Sequence, residues 1–316
     1  MINNQTLKIS MLLKFLPVKP LLHWLTRLLL VFSLMVMSVA VLAATQMQPA
    51  KGLLYEVKSG QKIVYLFGSI HLAKASFYPL SPSVEKAYAQ AEVVAVEADV
   101  TDPEASKLAM PLMLYVAPDQ LQEHLSAATW QALHTAVGPA LQQFQGLKPA
   151  VVAISLTVGA FARLGYDPAH GIDLHFIHRA KADKKKLIEL ESLDFQARVL
   201  AGLSDEEGDA LLRQTLDALN NGDALHDAEN MVTMWHAGDA IGLAKLFDDA
   251  ANKDAGSKKM MKLLLDDRNL GMSQKISRLL AKGRKAFVVV GAGHLTGANS
   301  IVDILTKQGM QVRRIP

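Results

Sequence analysis

Residues 64–72 read VYLFGSIHL, and residues 288–295 read VVVGAGHL. Each stretch is a short apolar run followed by Gly-x-x-His-Leu, so the same pattern occurs near both ends of the chain. A short apolar run that closes on glycine is typical of a buried strand. The pattern predicts two buried strands, each with a histidine, His71 or His294, in the loop just beyond its end. Because such loops often carry functional side chains, we expect the two histidines to share one site.

The segments around the two copies follow the same order of strand, Gly-x-x-His, helix and strand. The predicted ranges are strands 53–58, 62–67 and 93–97 with a helix at 82–91 for the first copy, and a helix near 299–308 and a strand at 311–315 for the second. Strand-helix-strand units of this kind build parallel sheets. We therefore predict an α/β fold whose mixed central sheet is built from two similar strand-GxxH-helix-strand halves.

The middle of the chain is mostly helical in pattern and predicts a helical lobe beside the sheet. The predicted helices cover 102–146, 150–164, 172–180, 205–250 and 259–281, with one strand at 187–191. In the first of these, Met110, Leu112, Leu114 and Leu121 are expected in the core. The segment 150–164 is almost wholly apolar but too short to span a bilayer, which favours a buried helix.

The first 44 residues resemble an export signal, because basic residues precede an apolar run that small residues close. We predict a signal peptide or N-terminal anchor at residues 1–44 and a single domain at residues 45–316. The protein is then expected in the periplasm or anchored at the inner membrane, touching the membrane only through this segment.

Charge and cysteine content exclude several classes of protein. The formal charge is +3, and removing the four basic residues of the leader leaves about −1, which argues against a nucleic-acid partner. The chain has no cysteine. This excludes disulfides, thiolate metal ligands and a cysteine nucleophile.

Two acids accompany the histidines at predicted strand ends. Glu97 and Glu191 each stand at the end of a predicted strand, so His71, His294 and the two glutamates would meet at one sheet edge if their strands are neighbours. Imidazole and carboxylate without thiolate suit Zn, Mn, Co or Fe. Such an ion lowers the pKa of a bound water, and a glutamate can take the proton. The alternative is that the histidines are ordinary loop residues and the acids are solvated.

Three further sequence patterns resemble metal-binding, nucleotide-binding or serine-hydrolase motifs, but each gives little evidence for such a site. His170, His175 and His178 have a spacing that could bind metal but is equally common on a helix surface. Gly291-x-Gly293 lacks the spacing of a dinucleotide fingerprint. Ser69 is not in a Gly-x-Ser-x-Gly context, so a serine hydrolase has little support.

Taken in order, a set of short motifs resembles the TraB/GumN/PrgY family, which is related to the Tiki metalloproteases and more distantly to erythromycin esterase and ChaN-like proteins. The resemblance runs from about Leu53 to Ile315. Its motifs are LFGSIH at 66–71, VE at 96–97, GID at 171–173, LES at 190–192 with Gln196, DRN at 267–269 and VGAGHL at 290–295.

The resemblance implies an active site in which His71, Glu97 and His294 hold a divalent metal ion or a water. It further implies that catalytic residues come from the set Glu97, Glu191, Arg268 and Asn269. Arg268 would stabilise an oxyanion or hold a substrate carboxylate. Its alternative role is an ion pair with the adjacent Asp266 or Asp267.

These expectations favour a metal-dependent hydrolase, peptidase-like, acting on a peptide or small amide in the periplasm, with Mn, Co, Zn or Fe as cofactor. Two alternatives stay open. One is a non-catalytic protein that sequesters a peptide of a signalling pathway, and the other is a metal-independent hydrolase that uses histidine as its base.

Overall fold

A computed structural model describes residues 48–316, and its centre is a six-stranded sheet in the order β4-β3-β5-β2-β1-β6. The strands are β1 Leu53–Ser59, β2 Lys62–Ser69, β3 Val93–Val96, β4 Lys186–Glu189, β5 Ala286–Gly291 and β6 Gln311–Ile315. β1 runs antiparallel to both of its neighbours, and the other pairings are parallel. The predicted mixed sheet is confirmed.

Helices surround this sheet and fill the middle of the chain. They are α1 Pro82–Gln90, α2 Pro103–Ala109, α3 Ala127–Val137, α4 Pro149–Arg163, α5 Ile172–Ala182, α6 Leu193–Ala201, α7 Asp205–Asn221, α8 Asp223–Ala237, α9 Ala240–Ala251, α10 Ala255–Met261, α11 Asp267–Ala281 and α12 Ile301–Lys307. A π-helical turn, Lys262–Asp266, joins α10 to α11.

The two Gly-x-x-His strands, β2 and β5, lie side by side and parallel, with Leu66 opposite Val288 and Ser69 opposite Gly291. From β3 the chain passes through the middle helices to β4, at one end of the sheet, and from β5 it passes through α12 to β6, at the other end. The connections therefore diverge between the neighbouring strands β3 and β5. In open α/β sheets, ligands bind at the carboxyl ends of strands where the connections diverge in this way.

The core has two parts. The larger part covers the sheet and includes a ring cluster of Phe67, Tyr88, Phe176 and Phe287, with centroids 4.8–5.8 Å apart. The smaller part lies among the middle helices and consists of Leu121, Leu133, Leu141, Val152, Ala153, Leu212 and Leu216. The predicted helical lobe thus has its own apolar centre.

Three predictions for the middle of the chain need correction. Met110 and Leu114 are 61% and 37% exposed, not in the core, because Pro111 ends the α2 pattern and the segment continues as a short 3₁₀ helix, Met110–Met113. Helix α4 is buried on one face only, and its Ile154 is 43% exposed. The single helix predicted over 259–281 is interrupted by the π-helical turn.

The predicted signal or anchor at residues 1–44 lies outside the described residues, and the limits of the predicted domain stay a prediction. Across residues 48–316, no helix is both long enough and apolar enough to cross a bilayer.

Candidate functional site

Four predicted site residues follow four neighbouring parallel strands. Glu191, Glu97, His294 and His71 come just after β4, β3, β5 and β2, and these strands stand in that order in the sheet. The backbone also ties the ends together, since the Glu191 N–H donates to the carbonyl of Glu97 at 2.7 Å. Sheet topology therefore places the four side chains along one edge. Their catalytic and metal-binding roles remain predictions.

The Glu97 carboxylate is the centre of this group and is 10% exposed. Its Oε1 accepts the backbone N–H of Gly291 at 2.6 Å and lies 3.6 Å from Nε2 of His294. Its Oε2 accepts from Arg268 at 2.5 Å and from Gln196 at 3.0 Å. Burial alone would raise the pKa of Glu97, but the nearby positive charges, including Arg268, outweigh burial and lower it. The carboxylate is therefore ionised and fixed in orientation.

Arg268 connects Glu97 to Glu191. Its Nη2 donates to Oε2 of Glu97 at 2.5 Å and to Oε2 of Glu191 at 2.6 Å, and Gln196 also donates to both carboxylates. The predicted alternative of an ion pair with Asp266 or Asp267 is wrong. Instead, Lys262 pairs with Asp267, and Asn299 donates to Asp266.

A π-helical turn lies just before Arg268 and holds its side chain. In this turn the Asp267 N–H bonds to the carbonyl of Lys262, five residues back. Within the same turn, Nη1 of Arg268 donates to the Leu264 carbonyl, four residues back, at 2.9 Å. π-Turns inserted in helices recur at functional sites. Here a backbone carbonyl of the turn accepts a hydrogen bond from the Arg268 guanidinium.

His294 is buried and its ring is held by Asn269. The Asn269 Nδ2 donates to the Asn299 carbonyl at 2.9 Å, so its Oδ1 faces Nδ1 of His294, at 2.7 Å. An acceptor at Nδ1 places the ring proton there and leaves a lone pair on Nε2. Burial lowers the pKa of His294 more than Glu97 raises it. The ring is therefore neutral, with its free nitrogen directed at Glu97.

His71 has a different environment, because its side chain is largely exposed to solvent. Its Nδ1 lies 2.8 Å from Oδ2 of Asp173, whose Oδ1 accepts from the Ser69 hydroxyl at 2.5 Å. The Asp173 carboxylate raises the pKa of His71 to about 9. The His71 side chain is 72% exposed, and water screens part of this attraction. The two similar motifs thus hold one protonated and one neutral imidazole.

Two glycines allow the close approaches that this geometry needs. A Cβ on Gly171 would lie 2.3 Å from the carbonyl oxygen of His71, and the next residue, Ile172, donates its N–H to Ile70 at 3.0 Å. A Cβ on Gly291 would lie 3.3 Å from Oε1 of Glu97. The N-terminus of α5 therefore packs directly on the loop that carries His71. Gly291, in the second motif, leaves space for the Glu97 carboxylate.

The site opens into a cavity of about 450 Å³. Its polar lining consists of His71, Glu97, Asp173, Gln196 and Arg268. Glu97, Glu191 and Arg268 together carry a formal charge of −1, and a buried net charge calls for a compensating cation or proton.

The donor atoms fit a divalent cation in part. Nε2 of His294 and Oε1 of Glu97 both present lone pairs and lie 3.6 Å apart. Metal–ligand bonds of about 2.0–2.2 Å in a tetrahedral site put neighbouring ligand atoms about 3.4 Å apart. Within residues 48–316, however, no group of three His, Cys, Asp or Glu side chains is arranged to hold a metal ion. Two ligand positions are therefore in place, and His71 does not complete a third.

Two contributors had no role assigned from the sequence. Asp173 and Gln196 stand in the family-like motifs, but only the fold reveals that one holds His71 and the other joins the two glutamates. His170 lies just before α5 and His175 and His178 lie on it, and the three do not form a group that could hold a metal ion. His175 packs on Tyr78 with ring centroids 4.4 Å apart, and His178 is exposed on the helix.

Comparison with known proteins agrees with these motifs. The sequence model of the TraB/PrgY/gumN family matches residues 53–314. The chain is 28% identical to the uncharacterized protein YbaP of Escherichia coli (strain K12) over 254 residues, which cover 78% of this chain and 89% of YbaP.

More distant similarity extends to animal proteins. The chain is 22% identical to metalloprotease TIKI1 of Danio rerio over 300 residues and to TIKI1 of Homo sapiens over 309 residues. The match covers 80% of this chain but 61% and 60% of those proteins. No solved structure is significantly similar.

Proposed function

Because this chain belongs to the TraB/PrgY/gumN family, and because distant relatives are named metalloproteases, we propose that it is a peptidase-like hydrolase. Its substrate is a peptide or small amide bound in the cleft between His71 and Arg268. The observation that carries the proposal is the pair of histidines whose Nδ1 atoms are each held by a side chain, Asp173 or Asn269. Anchoring of this kind directs Nε2 at a metal ion or a reacting group.

The proposal includes a divalent cation, Mn, Co, Zn or Fe. His294 and Glu97 would hold it, which agrees with the −1 formal charge of the buried group and with their facing lone pairs. His71, which is not grouped with them in this structure, would join as a third ligand after its ring moves and loses its proton. When bound, such an ion polarises a carbonyl and lowers the pKa of a water.

The protein's own residues orient and isolate the reacting groups. Arg268 and the Gly291 N–H fix opposite oxygens of Glu97, so the carboxylate cannot turn away from His294. Glu191 shares Arg268 and balances its charge. His71 is the group most open to the cleft, and it meets the substrate first.

A test of the proposal begins with the metal content of the purified protein and its cleavage of a peptide library, with and without chelator. Glu97→Gln should abolish cleavage, whereas Glu189→Gln, on the exposed acid of β4, should not. A wild-type protein that binds peptides and releases no product would refute hydrolysis in favour of sequestration. In that case Glu97→Gln would leave binding intact.

One observation favours a second candidate, metal-independent hydrolysis. The environments of His71 and His294 move their pKa values in opposite directions, which is the arrangement of an acid paired with a base. Cleavage that persists in chelator, by protein shown to be metal-free, would identify this candidate.

The periplasmic or membrane-anchored location is likewise proposed. Fractionation of cells that express the full chain tests it.

A further inference from the structure

Apolar side chains share the lining of the cavity that contains the ionic site. Val100 follows β3, Ile154 lies on α4, Leu174 on α5 and Leu200 on α6, and all four line the same cavity as His71. Its volume of about 450 Å³ lies within the range of roughly 300–1,000 Å³ that is common for ligand sites. One opening therefore presents both the ionic group and an apolar wall.

The wall is exposed although its residues are strongly apolar. Val100 is 49% exposed and Ile154 is 43% exposed. Helix α4 is apolar enough that its sequence predicts burial, yet the face that carries Ile154 is open to the cavity. Large apolar side chains that share an exposed wall often mark a binding surface.

The charges around the cavity are already paired with one another. Arg268 binds Glu97 and Glu191, and His71 binds Asp173. The apolar wall itself contributes no ionisable side chain to the cavity. A charged substituent placed against it would be desolvated without a partner, which is costly, whereas an apolar one would gain from burial.

We propose that the cleft selects peptide substrates with a large apolar side chain next to the bond to be hydrolysed, seated against Val100, Ile154 and Leu200. The inference rests on the proposed hydrolase function. Its occupant follows from continuity with that site, because the wall and the ionic group line one cavity. The loss of apolar contacts of this kind typically changes kcat/KM by about 10–200-fold.

The test compares peptides that differ only in the residue beside the scissile bond, leucine or phenylalanine against serine or aspartate, with the full protein. We expect the apolar peptides to have at least a tenfold higher kcat/KM. Ile154→Ser and Val100→Ser should each reduce this ratio several-fold. Because both positions are partly exposed, the variants should fold, and circular dichroism checks this for each one.

Matched controls are available on the same protein. Ile241→Ser and Val116→Ser change residues that are 84% and 83% exposed and do not line the cavity, so the ratio should stay at the wild-type value. Equal cleavage of all the peptides by wild type would overturn the inference and leave the hydrolase proposal standing. If Ile154→Ser and Val100→Ser both keep the wild-type ratio of kcat/KM between apolar and polar peptides, the inference is also overturned. Failure of wild type to cleave any peptide would instead refute the hydrolase proposal itself.

Discussion

A single nitrogen of Arg268, Nη2, lies 2.5 Å from Oε2 of Glu97 and 2.6 Å from Oε2 of Glu191. The guanidinium is 12% exposed, and the two carboxylates are 10% and 6% exposed. Replacing Arg268 with methionine would leave two buried carboxylates without their cation. We expect Arg268→Met to lower the free energy of unfolding by about 3–5 kcal/mol, measured by urea denaturation at neutral pH.

The control for this prediction is Arg213→Met. Arg213 forms an ion pair with Asp217 one turn away on α7, and both side chains are well exposed. A pair of this kind contributes less than about 1 kcal/mol. Equal losses in the two variants would mean that Arg268 does not stabilise the buried acids.

Asp173→Asn should change the titration of His71. Without the carboxylate, the pKa of His71 should fall from about 9 toward its ordinary value near 6.5, which NMR of the metal-free protein can follow. A raised pKa means that the folded state binds more protons than the unfolded state, so stability is full below about pH 6.5 and is lost as pH rises to about 9. Asp173→Asn should remove this loss.

The matched change is Asp183→Asn, at the other end of α5. Asp183 accepts from the Tyr88 hydroxyl and lies outside the cleft, so its loss should leave the His71 titration unaltered. A His71 pKa that stays raised in Asp173→Asn would contradict the assignment of Asp173 as its partner.

Metal binding should depend on His294 and on pH. If a divalent ion binds the folded protein, a concentration of 100 times Kd adds about 2.7 kcal/mol to stability, and His294→Ala should abolish most of this gain in a thermal melt. Binding at His71 must displace its proton, so affinity should rise with pH up to about 9. His178→Ala, on an exposed histidine, serves as control. Equal binding by wild type and His294→Ala would contradict the proposed ligands.

Gly171→Ala should disrupt the His71 loop. Its Cβ would lie 2.3 Å from the His71 carbonyl oxygen, and overpacking of this kind costs about 1–3 kcal/mol, with loss of cleavage as the loop shifts. Gly159→Ala is the opposite case, because nothing lies within 4 Å of that Cβ in the interior of α4. That change should stabilise the protein by about 0.5–1 kcal/mol. Full cleavage by Gly171→Ala would show that the close packing of Gly171 on the His71 carbonyl is not needed for activity.

The local parts of this fold could be predicted from the sequence because each has a local cause. The hairpin of β1 and β2 turns at Gly60, whose φ is +60°, and α1 begins with proline in its first turn. The apolar run before each Gly-x-x-His is a buried strand, as predicted. The repeat also led to the prediction that the two histidines share one site, and the strands that precede them are neighbours in the sheet.

Residues whose partners are distant in sequence could not be assigned in this way. The partner of Arg268 is an acid on another strand end, not the adjacent Asp267, and no spacing rule connects them. The exposed face of α4 was missed for a related reason, since an apolar pattern cannot distinguish the core from a substrate cleft. Only the fold reveals that Ile154 faces an opening.

The pairing of β2 with β5 and of β1 with β6 also determines the stage of folding at which the cleft forms. These pairings join opposite ends of the chain, as with Leu66 and Val288 or Leu54 and Ile315. Contacts so distant in sequence form late, because the loop between them must close first. An N-terminal fragment that ends before Ala286 has neither the central strand nor His294. A chain that lacks β5 therefore has no complete cleft, and the cleft forms only after β5 and β6 have joined the sheet.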